Sequence, residues 1–183
     1  SARVDYDLFE RTVEGQIFDL TEIRRWENDP SAYGYGEAIL ALISRTYGTP
    51  EDRLRAVIAR LGQVPRLLQS ARKNLKNPPQ LFTGFAIEEF SGMGEFLDRD
   101  VPLAFATVRD ADLLQRYDEA KREAQAATRE YVAWLQSDLM PRSNGSFVLG
   151  PERYRKKLHY DEMVDLPLDD LLRAGERELH RLQ

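Results

Sequence analysis

Cysteine is missing from the sequence altogether. That excludes disulfides, thiol nucleophiles and cysteine-based zinc sites, and leaves the compartment open between a cytoplasmic and an exported lipoprotein context. Histidine is nearly missing, with His159 and His180 the only two. Helical zinc peptidases need two His one turn apart, with a Glu between them to activate water. Neither histidine has a second at i+4, so that motif is absent. Long apolar runs are lacking too. The longest, Ala38-Ile39-Leu40-Ala41-Leu42-Ile43, falls well short of the roughly 20 residues that a membrane-spanning helix needs. There is no basic excess, since the net charge is −5. This argues against nucleic acid, whose phosphates call for a basic footprint. The cations that are present are mostly Arg, so any anion contact would be an Arg contact. No leader is recognisable: the chain opens Ser1-Ala2-Arg3, and Ser1-Ala2 reads as a cloning scar.

What remains is helical periodicity. The 183 residues are 42% hydrophobic, enough for the core of a single helical domain over 1–183. In the first segment Phe9, Val13, Ile17 and Leu20 recur at helical spacing, and the pattern ends at Trp26, before the breaker Asn28-Asp29-Pro30. A second helix is expected from about Ser31 to Tyr47 around Ile39, Leu42 and Ile43. Thr49-Pro50-Glu51-Asp52 is a start signal: a cap for free N–H groups, a proline suited to the first helical position, and acids favoured by the dipole. Leu54, Val57, Ile58 and Leu61 follow. Past Gly62 and Pro65, a fourth helix runs through Val64, Leu67, Leu68, Ala71 and Leu75 to the stop at Asn77-Pro78-Pro79. A fifth, Gln80 to Asp98, carries Phe82, Ala86, Phe90, Met93 and Leu97, with Gly84, Gly92 and Gly94 inside it. Each such glycine costs about 1 kcal/mol against Ala, a cost that close helix–helix packing would explain.

From Asp110 to Met140, Leu113, Tyr117, Ala120, Ala124, Ala127, Tyr131 and Trp134 recur at spacings of 4, 3, 4, 3, 4 and 3. This is a heptad-like seam whose alanines admit a close neighbour, as in the core helix of a bundle. A loop at Pro141–Ser146 leads to Phe147-Val148-Leu149-Gly150, the one short segment with strand character. Gly150-Pro151-Glu152 begins a short helix to about His159. Asp165-Leu166-Pro167 opens a last helix that is still running at Gln183. The expected fold is therefore all-α, a bundle of about seven helices with one short strand at 147–150. Helical patterns reach both ends, which predicts a piece of a longer protein.

The candidate chemistry is sparse. Glu176 and His180 share a face, and His159 is followed by Asp161 and Glu162, but ordinary solvated helix faces show both patterns and no metal site results. Glu88 and Glu89 could do acid–base work if one were buried; as neighbours they point about 100° apart on a helix. Arg153, Arg155, Lys156 and Lys157 form the single basic cluster, a solvated face or an anion contact. Gly34-Tyr35-Gly36 and Gly92-Met93-Gly94 lack the third Gly and the preceding strand of a dinucleotide fingerprint. Trp26, Tyr33 and Tyr35 cluster at the first break, as a plug between helices would. No catalytic residue and no metal ligand is assigned.

Several segments in order carry a resemblance. They are Trp26-Glu27-Asn28-Asp29-Pro30-Ser31-Ala32-Tyr33, Glu51-Asp52-Arg53, Arg60-Leu61-Gly62-Gln63-Val64-Pro65, and Ala71-Arg72-Lys73-Asn74-Leu75 before Pro78-Pro79. Then come Ala86-Ile87 ahead of Gly92, Trp134-Leu135, Pro141-Arg142, and Phe147-Val148-Leu149-Gly150-Pro151-Glu152-Arg153-Tyr154 with Leu158 beyond. Together they resemble the middle of the bacterial family called domain of unknown function 885. The resemblance implies a helical, metallopeptidase-like parent whose HExxH-type motif and zinc lie outside this chain. It implies a missing C-terminal catalytic part as partner, and a peptide as substrate. In such enzymes an edge strand near the metal binds an extended substrate by backbone pairing. Phe147, Val148, Leu149, Gly150, Glu152 and Tyr154 are the matching cleft candidates. The competing expectations are a non-enzymatic helical binding or interaction module, and a ligand-binding protein that uses the glycine-containing fifth helix. A scaffold separated from its other half would expose an apolar face and could form a homodimer through it.

Overall fold

The computed structural model describes residues 2–45 and 47–182. It is all-α, as expected. The helices in chain order are α1 (Ala2–Phe18), α2 (Arg25–Asn28), α3 (Gly36–Ser44), α4 (Pro50–Leu61), α5 (Val64–Asn74), α6 (Gln80–Glu95), α7 (Val101–Ala104), α8 (Ala111–Trp134), α9 (Met140–Arg142), α10 (Gly150–Glu162) and α11 (Leu168–Leu182). A 3-10 turn at Pro30–Tyr33 precedes α3. Wide π turns follow α1 at Asp19–Ile23, join α6 to α7 at Phe96–Asp100, and join α8 to α9 at Leu135–Leu139. None of the described helices is long and apolar enough to cross a membrane. The second expected helix is shorter than its pattern, because α3 ends at Ser44; Thr46, inside the expected span, lies outside the described residues, as do Ser1 and Gln183.

The chain divides into two compact units. One is central, Trp26–Gly145; the other joins the residues up to Arg25 with those from Ser146 on. In the central unit α8 is the axis, packed by α4, α5 and α6. Its start is set by Asp110, whose carboxylate accepts the Leu113 N–H at 3.0 Å, and that of α4 by Thr49, which accepts the Asp52 N–H at 3.1 Å. The buried stripe on α8 and the turn after it is Leu113, Tyr117, Ala120, Ala124, Thr128, Tyr131, Leu135 and Leu139. The heptad reading fails at its C-terminal half. After Ala124 the spacing becomes 4, so Thr128 is buried where Ala127 was expected, and Leu135 where Trp134 was expected. An ordinary helix drifts off a strict seven-residue repeat in this way, and the stripe therefore serves a bundle core rather than a supercoil. Trp134 sits half-buried at the rim, with the Arg72 and Arg142 guanidinium groups 5.9 and 6.0 Å from its ring centre.

Polar groups in this core are mostly matched. The Tyr35 hydroxyl and Thr128 Oγ1 are 2.8 Å apart, and the Tyr117 hydroxyl donates to the Leu97 carbonyl at 2.7 Å. Tyr33 donates to the Trp26 carbonyl at 2.6 Å and accepts from Asn74 at 3.0 Å, so the aromatic cluster at the first break is a plug. Arg53 donates to the carbonyls of Leu42, Ile43 and Arg45, closing the C-terminal end of α3 from a different helix. At the far end, Thr83 Oγ1 and Ser143 Oγ are 2.8 Å apart, and the Gly145 N–H donates to the Pro78 carbonyl at 3.2 Å. Gly145 has no room for a side chain: a Cβ there would collide with the Asn77 carbonyl oxygen and lie 3.0 Å from the Pro78 carbonyl carbon.

The terminal unit is built differently. α1 meets α10 through Arg11, Gly15, Phe18 and Glu22. A Cβ on Gly15 would lie 3.3 Å from that of Tyr160, the Phe18 and Tyr160 rings are 5.5 Å apart, and Lys156 pairs with Glu22 at 2.6 Å. The stripe legible in the sequence, Phe9, Val13, Ile17 and Leu20, points instead to solvent. The strand expected at 147–150 does not form. The Val148 N–H donates to Ser146 Oγ at 3.1 Å, Leu149 is already helical, and Gly150, at φ +76°, opens α10 with Pro151 behind it. A strand also needs a partner edge, and there is no strand among the described residues.

Two outcomes follow from this packing. Gly145→Ala should lower unfolding stability by about 1–3 kcal/mol in urea melts, since the clash is with backbone that cannot step aside. Burial raises the phenol pKa values of Tyr35, Tyr117 and Tyr131 above the ordinary 10.0. The native state then holds these protons more tightly than the unfolded chain does, so their contribution is complete below pH 10 and is lost as the pH rises beyond it. Alkaline titration should show part of the tyrosinate absorbance appearing only as the fold melts; ionisation of all eight tyrosines in a still-folded chain would contradict this.

Candidate functional site

The candidate cleft residues lie in the terminal unit, on the connection into α10 and its first turns. Phe147 and Val148 are largely exposed, at 60% and 69%, with no enclosure around them. Leu149 and Gly150 are half-buried, and Glu152 is exposed. Tyr154 reaches a concave surface. It lines a groove of about 470 Å³ with Leu168, Leu171, Leu172, Gly175 and Leu179 of α11. Phe147, Val148 and Glu152 do not line that groove. Its walls are apolar apart from the Tyr154 hydroxyl and Glu176, so it suits an aliphatic or aromatic group and has little with which to polarise a bond.

The charged candidates are spoken for by neighbours. Of the basic cluster, Lys156 is paired with Glu22 and Lys157 with Asp161, and Arg153 and Arg155 are exposed. His159 Nδ1 contacts Asp165 Oδ1, and Arg11 donates to the His159 carbonyl at 3.4 Å, so this histidine closes the end of α10. Glu88 and Glu89 are both exposed, and Glu89 leans against Gly34, where a Cβ would collide with its carboxylate. No three His, Cys, Asp or Glu side chains gather into a metal-binding group among the described residues.

Two features of the central unit have no counterpart in the sequence reading. Glu27 is buried, 7% exposed, and pairs with Lys76 at 2.5 Å, an ion pair between residues too far apart in sequence for any spacing rule. The Tyr131 hydroxyl is fully buried without a hydrogen-bond partner, and the Tyr131 ring lies 4.9 Å from that of Phe90 and 5.7 Å from that of Trp134. The glycines of α6 also differ from expectation. Close helix packing does not explain them: a Cβ on Gly92 or Gly94 would meet nothing within 4 Å, and one on Gly84 only the Met140 methyl at 3.9 Å. Gly94 borders an open groove of about 420 Å³ with Phe90, Met93, Gln125 and Val132, in which Gln125 donates to Asp98 at 3.0 Å.

A family model described as bacterial protein of unknown function, DUF885, matches residues 1–183. The chain belongs to this family. A solved structure, that of a candidate lipoprotein of unknown function from Shewanella oneidensis, is similar to it with a TM-score of 0.83 and 25% identity. The match covers 97% of this chain and 33% of that one. The chain thus spans about a third of the length of this relative. No curated protein matches it. The family match thus extends over residues 1–183, and the structural likeness over 97% of the chain.

The glycines offer a direct check. Gly92→Ala and Gly94→Ala should each stabilise the chain by roughly 0.5–1 kcal/mol, because the helix gains propensity and the methyl meets open space. A loss of stability in thermal melts would mean that the groove is closed in solution.

Proposed function

We propose that this chain is the helical scaffold of a longer, metallopeptidase-like DUF885 protein. It walls a peptide cleft through Phe147, Val148, Leu149, Gly150, Glu152 and Tyr154 and supplies no catalytic group. What supports the reading is the fold match inside a chain about three times as long, with the exposed Phe147–Tyr154 segment ending on an apolar groove. Zinc and the group that activates water would come from outside residues 1–183, so no step of hydrolysis is assigned to a residue of this chain. Because the backbone at Val148 is turned onto Ser146, substrate contact falls to the Phe147, Val148 and Tyr154 side chains rather than to strand pairing. The relative's description as a lipoprotein favours an exported setting. The alternative, a non-enzymatic interaction module, is favoured by the apolar faces of α1 and α11, which bind a partner in either case.

The test uses the intact polypeptide. It should hydrolyse peptides when supplied with zinc, and Tyr154→Ala should lower kcat/KM about tenfold, on the order of 1.4 kcal/mol of transition-state stabilisation, without moving the Tm. An unchanged kcat/KM removes Tyr154 from the cleft. Absence of any hydrolysis by the zinc-loaded intact protein supports the interaction module instead.

A further inference from the structure

The two units share apolar residues very unequally. Among the described residues, Phe18 is the one buried hydrophobic of the terminal unit; the others lie within Trp26–Gly145. Of the twenty-one exposed large hydrophobics, fifteen lie in the terminal unit, although it is the smaller of the two. They are not scattered. On α1 and the π turn after it, Phe9, Val13, Ile17 and Leu20 form an apolar stripe, 37–69% exposed. On α11, Leu168, Leu172, Gly175, Leu179 and Leu182 recur at spacings of 4, 3, 4 and 3, and none is buried. Exposed apolar faces beyond a few hundred Å² are uncommon on soluble monomers and mark surfaces that something covers. A helix-bearing unit with no core of its own also lacks the burial that offsets chain entropy.

The shape of α11 tells what kind of group covers it. A 4-3-4-3 apolar seam flanked by charges is the face that receives another helix, knob into hole. Gly175 sits mid-seam, and a Cβ there would meet nothing within 4 Å, so an approaching helix can come close at that point. Of the charges beside the seam, Asp170 is paired with Arg173 and Glu178 with Arg181 within α11.

The length of the relative tells where that helix comes from. Its chain holds this fold in 33% of its length, so about two thirds of a protein of that size lies outside the part seen here. We infer that the α1 face and the α11 seam are the docking surface for the rest of the same polypeptide, seated through an amphipathic helix laid along Leu168–Leu182. The inference rests on the reading of the chain as part of a longer protein and takes nothing from its chemistry. The seam adjoins Tyr154, so docking there brings the other part of the protein to the end of the Phe147–Tyr154 segment.

Hydrogen–deuterium exchange on the intact polypeptide, compared with this chain by itself at low and high concentration, tests it. Amides of α11 and of Phe9–Leu20 should exchange at least about tenfold more slowly in the intact polypeptide, at any concentration. The double substitution Leu172→Glu, Leu179→Glu in the intact polypeptide should abolish the slowing in α11 and leave exchange in α4, α5 and α8 as it was, which separates lost docking from lost folding. Equal exchange in the two chains overturns the inference. So does protection that appears in this chain by itself as its concentration rises, which identifies a second copy as the occupant. Since no hydrolysis is read, a failed peptidase assay does not touch this result.

Discussion

The close approach of helices at Ala120 and Ala124 of α8 is the constraint on which the central unit rests. Two small side chains in the middle of the buried stripe let α4, α5 and α6 converge on one axis. The larger residues then fall at its ends: Leu113 and Tyr117 toward α7, Tyr131, Leu135 and Leu139 toward α9. Each buried aliphatic side chain contributes about 1.5–3 kcal/mol, the set is contiguous, and no disulfide contributes because the chain has no cysteine. Where polar atoms enter, they are mostly paired. Thr128 bonds both to Tyr35 across the core and to Ala124 one turn back. Among the described residues, Arg53 Nε and the Tyr131 hydroxyl are buried without a partner.

Much of this was open to reading before any coordinates. Thr49-Pro50 and Asp110 are local signals, because capping depends on the next three residues and on nothing distant. Proline stops at Pro78-Pro79 and the α8 stripe as far as Ala124 are likewise local. The failures have a common cause. Periodicity says that a helix has an apolar face; it does not say what that face meets. Phe9, Val13, Ile17 and Leu20 form a proper stripe, yet α10 packs against the other side of α1, where Gly15 and Phe18 fit Tyr160. The glycines of α6 and the strand at 147–150 misled for the same reason: close packing and sheet pairing need partners, and the described residues provide none. Long-range polar choices such as Glu27 with Lys76, or Arg53 reaching three carbonyls at the end of α3, leave no trace in spacing.

Of the candidate site, less was legible. Tyr154 of the Phe147–Tyr154 set lines a groove made by α11, whose leucines no motif connects with it. The residue types that carry chemistry are present but dispersed. His159 is held by Asp165, the lysines of the basic cluster by acids on two different helices, and the paired glutamates face solvent. A family of unknown function and a relative three times as long agree with such a distribution: the chain carries a well-made core in one unit and a well-made outer face in the other.

The π turn at Leu135–Leu139 gives the chain a counting problem. A wide turn holds one residue more than a regular one, so it sets the angular phase of everything that follows. Ser143 meets Thr83, and Gly145 slots against Asn77, only because that extra residue has rotated α9 into place. Removing a single residue from the turn would restore a regular helix and swing the downstream chain by about 100°, away from both contacts. Substitutions at solvent-facing Gln136 or Ser137 should then be of little consequence while their deletion is not. In descendants of this sequence the length of the segment would be inherited more strictly than its letters.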